Sequence, residues 1–333
     1  MSSNGRLTIH DVASEAGVSI ATVSRVLNGG GTVNEAMAEK VREAAGRLGY
    51  LPNAAAQGLA SGAYRSIGVV VPDLGNPYFN DILKSAMTAA SADGYRMIVS
   101  DSRGNPDEEL SACRQQLPYV DGILLLSARM QVTDLQELAA QPVPVVSVNR
   151  KDRNVDLPMV VADNYSATLE LCRHLAALGH ERVVYLAGSP RSWQNRERWR
   201  GIKAAKSVGI TAVTVPCDAS VQAGYDSTDE ALEHDCTAIL AFNDLAAFGV
   251  ITRVRELGLR VPKDISVTGF DDIEIARHLR PPLTTVISPK VQLGQGAWLS
   301  LRAALRGEKI PRTLPIPSPV VIRKSTGRAR ARA

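Results

Sequence analysis

The 333-residue chain has no run of about 18 apolar residues, so no segment is predicted to span a membrane. Its first residues, "MSSNGRLTIHDVASEAG", carry no apolar core of a secretory leader, and a cytoplasmic location is expected. Cysteine is sparse: Cys113, Cys172, Cys217 and Cys236 lie far apart with no C-x-x-C pair, which excludes a zinc knuckle or a disulfide frame and suits reduced thiols. No G-x-G-x-x-G or Walker sequence follows the first strand-like run, so nucleotide-binding loops of those types are excluded. His10, His174, His180, His234 and His278 fall at no metal-ligand or triad spacing. The expectation is a protein without metal, cofactor or catalytic centre. A surplus of positive charge is also nearly missing. The formal charge is +4, and the tail from Arg323 onward holds five basic residues and no acid. Met1 to Arg65 carries six basic and five acidic residues, so charge alone makes no case for nucleic acid.

What the N-terminus does contain is periodicity. In "DVASEAGVSIATVSRVLNGG", Ile9, Val12, Ala13 and Ala16 share one helical face, and Gly17 then breaks the pattern. Ser19 is an N-cap for a second helix in which Val23, Val26 and Leu27 face one way, while Ala21 and Arg25 face nearly the opposite way. Two short helices joined by a glycine turn, the second with a bare outer face, suit a helix-turn-helix that enters a DNA groove. Met37, Val41, Ala44, Ala45 and Leu48 give a third helix, closed by Gly49. The stretch from Asn53 to Ser61 has helix-forming alanines, but it is short and contains Gly58, which costs about 1 kcal/mol. It is expected to fold on binding.

From Ser66 onward the texture changes to short apolar runs separated by helical lengths: "SIGVVVPD", "YRMIVSDS", "DGILLLSA", "VPVVSVNR", "RVVYLAGS", "CTAILAFND" and "ISVTGFDD". Such alternation indicates parallel sheets covered on both faces, here in two doubly wound subdomains that change over near Val160 to Asn164. "LTTVISPKVQLGQGAWLSLRAALRGE" reads as strand, crossover and helix, and "PIPSPVVIR" as a last strand. The fold class is therefore α/β: a small all-α headpiece plus a core of two parallel-sheet subdomains. The predicted boundaries are 1–52 for the headpiece, 53–65 for a hinge and 66–333 for the ligand and dimer domain. Within that domain the first subdomain spans about 66–162 with 289–320, and the second about 163–288 with 321–326. Polar heads gather at the C-terminal strand ends: Asp73 and Asn76, Asn149 and Arg150, Asn243 and Asp244, Asp271 and Asp272. That edge is where open α/β sheets bind ligands.

"TIHDVASEAGVSIATVSRVLN", "YLPNAAAQGLASG" and "SIGVVVPDLGNPYF", with "VTGFDDIEIARHLRPPLTTV" and "VVIRKST", resemble the lac repressor/galactose repressor family of bacterial transcription regulators. Its ligand domain is similar to periplasmic sugar-binding proteins. The resemblance implies a homodimer on a pseudo-palindromic operator, with base reading at Ile20, Ala21 and Arg25. Arg25 could donate two hydrogen bonds to a guanine edge, whereas Ile20 and Ala21 could meet only thymine methyls. Ser19, Thr22, Ser24, Asn28, Tyr50 and Asn53 are expected to position the headpiece. Leu59 matches the leucine that relatives wedge into the minor groove. The resemblance further places Asn76, Tyr78, Phe79, Arg150, Arg198, Asn243 and Asp271 in an effector cleft, with the Trp193 ring on another wall. Ala219 departs from an aromatic platform, and Asn149 from an acid, in those relatives.

Each assignment has a plainer competitor. Ala21 and Arg25 could form a solvated helix face, and Leu59 could be a docked linker residue. Asn243 and Asp271 could be helix N-caps, and Arg198 could belong to a charged helix surface. One ring of Tyr78 and Phe79 is expected in the core. The function expected is a non-enzymatic repressor controlled by a sugar-like effector. The alternatives are control by a purine or nucleoside corepressor and, more distantly, a solute-binding protein. The second of these should carry an export signal and no helix-turn-helix.

Overall fold

A computed structural model of the chain describes residues 7–28, 33–51, 62–310 and 314–330. It divides into two compact units, Met1–Arg65 and Ser66–Ala333. Asn53 and Leu59 lie outside the described residues.

In the first unit, helix α1 spans Ile9–Ala16, α2 Ile20–Asn28 and α3 Glu35–Leu48. Local chemistry sets their ends. Asp11 Oδ2 accepts from both the Thr8 amide and the Thr8 hydroxyl at 2.8 Å, closing a capping box at the start of α1. Gly17 ends that helix at φ +66°, a conformation that favours a residue without Cβ. The Ser19 hydroxyl then accepts from the Thr22 amide at 3.1 Å and starts α2. Val12, Val23, Val41 and Ala44 are fully buried where the three helices meet. Met37 departs from the expected core stripe: it is 42% exposed, because the buried side of α3 runs through Ala38, Val41, Ala44 and Ala45.

The second unit holds two parallel sheets. One lobe contains β1 (Ser66–Val71), β2 (Arg96–Asp101), β3 (Gly122–Leu126), β4 (Val145–Val148) and β5 (Met159–Val160), in the order β2-β1-β3-β4-β5. Helices α4 (Pro77–Ala92), α5 (Pro106–Gln116) and α6 (Val132–Ala139) connect its strands. The second lobe begins with α7 (Asn164–Ala177) and β6 (Arg182–Ala187), followed by α8 (Trp193–Ala204) and β7 (Thr211–Pro216). It continues through α9 (Val221–Asp226), α10 (Thr228–Glu233), β8 (Ala238–Ala241), α11 (Asp244–Glu256) and β9 (Ser266–Thr268). Its sheet order is β7-β6-β8-β9. Strand β1 is buried at every position, as a central parallel strand should be. Strand β7 has no counterpart among the expected runs. It is an edge strand with four of its six residues outside the core, so the Thr/Val alternation of "TAVTVP" lacks an apolar block.

The chain passes between the lobes three times. Ile316 donates to the Val161 carbonyl and accepts from Asp163, each at 2.8 Å, and Ile287 donates to Pro319 at 2.8 Å, which lashes the three crossings together. Between the last two crossings, α12 (Lys290–Leu305) returns to the first lobe, where Leu293, Ala297, Trp298 and Leu301 join its core. The short antiparallel pair β10 (Thr285–Val286) and β11 (Val320–Val321) closes the second lobe. This arrangement sets the C-terminal ends of the two sheets on either side of one cleft.

Candidate DNA-reading helix and effector cleft

Ile20, Ala21 and Arg25 of α2 and the preceding Ser19 are exposed, opposite the buried Val23; Thr22 and Ser24 are half-buried beside them. The Ser19 and Thr22 hydroxyls lie 2.9 Å apart. Arg25 forms no ion pair among the described residues. The helix therefore presents one free guanidinium flanked by small and apolar side chains. Tyr50 packs against the headpiece core while remaining half-buried. Asn28 is the last residue of α2.

In the second unit, helix caps and strand ends build a cleft. Asn76 accepts from the Tyr78 amide at 3.0 Å to start α4, and Asn243 accepts from the Ala246 amide at 2.9 Å to start α11. Both capping residues are buried and face the cleft cavity, so cap and cavity-lining roles coincide. The Asn243 amide also donates to the Ala219 carbonyl at 2.9 Å. Several residues at the strand ends hold positive φ without being glycine: Ser127 (+50°), Asn149 (+56°), Asp271 (+107°) and Asp272 (+47°). Such conformations cost on the order of 1–3 kcal/mol each and mark a site whose surroundings enforce them.

Arg198 sits at the centre of the cleft's polar groups and is 4% exposed. Its Nε donates to Asn164 Oδ1 at 3.0 Å, its Nη1 to the Phe242 carbonyl, and its Nη2 to Asp271 Oδ1 at 3.3 Å. The Phe270 ring lies 3.5 Å from the guanidinium carbon and the Phe242 ring 4.8 Å. Burial pushes the Asp271 carboxyl up to about 6, opposed by Arg198 and by Lys290. Lys290 Nζ donates to the Asp271 carbonyl at 3.2 Å and to the Asp272 carbonyl at 2.8 Å. Asp244 lies deeper, and burial holds its carboxyl well above the usual carboxylate range. It accepts from the Thr285 hydroxyl at 2.6 Å and the Ile273 amide at 2.8 Å, ties that lock the base of the cleft.

The sequence assigned eight residues to the cleft. Six of them, Asn76, Tyr78, Phe79, Arg198, Asn243 and Asp271, line one enclosed cavity of about 30 Å³. Tyr78 and Phe79 both belong to the first-lobe core and also reach this cavity, with ring centroids 5.0 Å apart at 71°. The Tyr78 hydroxyl meets the Asn149 amide, whose Oδ1 accepts from Ala162 at 2.9 Å. The structure does not bring Arg150 to this cavity. Its guanidinium turns into the first lobe, onto Asp152 at 2.8 Å and the carbonyls of Ala128 and Met130 at 3.2 and 2.5 Å. Trp193 opens instead onto a neighbouring cavity of about 470 Å³.

Ser127, Arg129, Ser192, Gln194 and Phe242 line the enclosed cavity and were not singled out from the sequence. Ser127 and Arg129 end "DGILLLSARM", and applying the strand-end rule to that run would have found them. Gln194 follows Trp193 by one residue, which turns it to the inner side of α8. Its Nε2 donates to Ser127 Oγ at 2.7 Å, joining the lobes. Beside this cavity lies a pocket of about 220 Å³ that shares Asn76, Phe79, Arg129 and Ala219 as walls. No group of three or more metal-ligating side chains occurs among the described residues, and none of their helices is long and apolar enough to cross a membrane.

Residues 8–53 match the family described as bacterial regulatory proteins, lacI family, and residues 172–326 match the periplasmic binding protein-like domain. The chain is 33% identical to catabolite control protein A of Priestia megaterium over 329 residues, covering 96% of this chain and 99% of that protein. A structure of the lac repressor dimer bound to operator and the anti-inducer ONPF matches with a TM-score of 0.85 and 30% identity, over 97% of this chain and all of that one. A LacI family transcriptional regulator from Enterococcus faecium with bound ribose matches with a TM-score of 0.70 and 27% identity, over 80% of this chain and all of that one. The helix-turn-helix headpiece, the two-lobed core and these likenesses across almost the full length converge: the chain belongs to the lacI family of bacterial regulatory proteins and is a DNA-binding transcriptional regulator.

Proposed function

We propose that the protein is a homodimeric repressor whose operator affinity is set by a sugar-like effector held between the lobes. The observation that carries the effector class is the set of side chains that line the inner cavity. Arg198 and Asp271 are paired in it, Asn76 and Asn243 flank them, and the Tyr78 and Phe79 rings form an apolar wall. A sugar hydroxyl both donates and accepts, and its C–H face suits a ring, so this lining suits a monosaccharide or a close derivative, for which the 30 Å³ cavity must widen toward the adjoining pocket of about 220 Å³. The bound ribose of the Enterococcus faecium regulator and the anti-inducer of the lac repressor structure support a small ligand in this fold.

The assignment of residues 1–52 to DNA reading and 53–65 to a hinge follows the sequence resemblance. Arg25 reads a guanine, Ile20 and Ala21 set the fit, and Leu59 is the minor-groove wedge. The effector closes the lobes, and the first lobes of the two subunits shift relative to one another, which changes the spacing of the paired hinges. The protein acts by binding and carries out no reaction on its effector.

A thermal-melt screen of neutral monosaccharides, polyols and nucleosides at millimolar concentration tests the effector class. A ligand at 100 times its Kd adds roughly 2.7 kcal/mol of stability, which a melt resolves. A selective monosaccharide hit supports the reading. A nucleoside hit replaces it with the corepressor alternative, and turnover of the hit would contradict a pure binding role.

A further inference from the structure

The cavity onto which Trp193 opens lies outside the effector cleft. It is a half-open cavity of about 470 Å³, within the range of small-molecule sites. Trp193, Arg196, Glu197 and Arg200 recur at i, i+3, i+4 and i+7, so one face of α8 forms its second-lobe wall. The loop after β4, with Lys151 and Arg153, forms the opposite wall from the first lobe, and Asp163, Asn164 and Pro315 at the crossings form the floor.

Its charge balance is positive. Two wall carboxylates are paired with arginines, Asp152 with Arg150 at 2.8 Å and Glu197 with Arg200 at 2.6 Å, whereas Asp163 caps α7 through the Ser166 amide at 2.9 Å and keeps its charge, which Lys151, Arg153 and Arg196 together outweigh. Arg196 donates to the Pro190 and Arg191 carbonyls at 3.4 and 3.1 Å, which do not neutralise it. Lys151 and Arg153 are exposed and form no ion pair among the described residues. The half-buried Trp193 indole stands on the opposite wall. Uncompensated cations facing an aromatic surface select an anion that also carries a ring.

We propose that this cavity is a second ligand site for a small organic phosphate, with the phosphate held by Lys151 and Arg153 and the ring against Trp193. A ligand here touches both lobes. It also rests against Asn164, whose Oδ1 accepts the Arg198 Nε hydrogen bond at 3.0 Å, so one hydrogen bond links a wall residue of the outer cavity to a wall residue of the inner one. Through that bond, an effector in the inner cleft and a phosphate in the outer cavity change each other's affinity by the same factor. The outer site itself does not depend on the sugar assignment of the inner one.

Isothermal titration of the full chain with ribose 5-phosphate, AMP and inorganic phosphate tests the site. The expected result is one ribose 5-phosphate or AMP per chain, with affinity at least tenfold weaker in K151E/R153E and changed less than twofold in Asp271→Asn. The preferred compound separates a sugar phosphate from a nucleotide. Melts with neutral monosaccharides should be the same in K151E/R153E as in the parent, so failure of the outer site is distinguishable from failure of the inner one. Equal organic phosphate affinity in the parent and K151E/R153E overturns the proposal. So does loss of binding in Asp271→Asn with retention in K151E/R153E, which places the phosphate in the inner cleft. Binding of inorganic phosphate as tight as that of either ester, an adventitious ion only, also overturns it, as does the absence of binding by all three probes.

Discussion

Gln194 Nε2 donates to Ser127 Oγ at 2.7 Å, joining the first turn of α8 in the second lobe to the end of β3 in the first. Both side chains are buried and both line the enclosed cavity, so this bond exists only while the lobes are shut on each other. A neutral hydrogen bond of this kind contributes about 1 kcal/mol. Gln194→Ala should therefore weaken effector binding about fivefold without altering operator binding by the effector-free protein. Titration calorimetry on the two proteins checks this, and an unchanged Kd would remove the bond from the closing mechanism.

Arg198 and Asp271 form an ion pair with both partners nearly out of contact with water. Removing one member leaves the other charge buried and uncompensated, which costs about 3–5 kcal/mol. Arg198→Ala should lower the melting temperature markedly and abolish effector binding. Asp271→Asn keeps a hydrogen-bond acceptor for the guanidinium and should destabilise less. Chemical denaturation of both variants gives the order, and the reverse order would contradict the pairing as the main support of the cleft.

The raised Asp271 carboxyl, near 6, gives effector binding a pH dependence. If the carboxylate accepts from the effector's hydroxyls, protonation removes that acceptor. Affinity should then be flat above pH 7 and fall by up to about tenfold per unit below pH 6. The stability effect has the opposite sign. A carboxyl raised on folding stabilises the native state below its unfolded pKa near 4, and that contribution is lost as pH rises through about 6. Asp271→Asn should flatten both profiles between pH 4 and 6. A parent protein whose effector Kd is constant from pH 5 to 7.5 would contradict a direct contact.

On the headpiece, Arg25→Ala should cost about 1–3 kcal/mol of operator affinity and relax selection at one base pair, leaving effector affinity unchanged. Binding to a panel of operators with single substitutions reads both effects. A uniform loss across the panel, without relaxed selection at any position, would assign Arg25 to the phosphate backbone instead.

The legible parts of the sequence are those where one residue type has one physical use. Gly17 at a turn, Ser19 at a cap and the apolar blocks of β1, β3 and β8 could be read directly, because burial and backbone geometry leave them few alternatives. Strand β7 escaped because an edge strand need not be apolar. Arg150 shows the limit for side chains. It follows a strand end as a cleft residue should, but it turns away to satisfy the carbonyls of Ala128 and Met130. A long side chain at the right position can point to either side of a wall, and packing decides which. Trp193 and Gln194, adjacent in sequence, open onto different cavities for the same reason.

In the proposed mechanism operator and effector are coupled through one protein, and such coupling must be reciprocal. The most direct measurement determines four dissociation constants: operator with and without saturating effector, and effector with and without operator. Reciprocal coupling requires a change in operator affinity and a change of the same factor and sign in effector affinity. Operator affinity that stays constant while the cleft is fully occupied would contradict it.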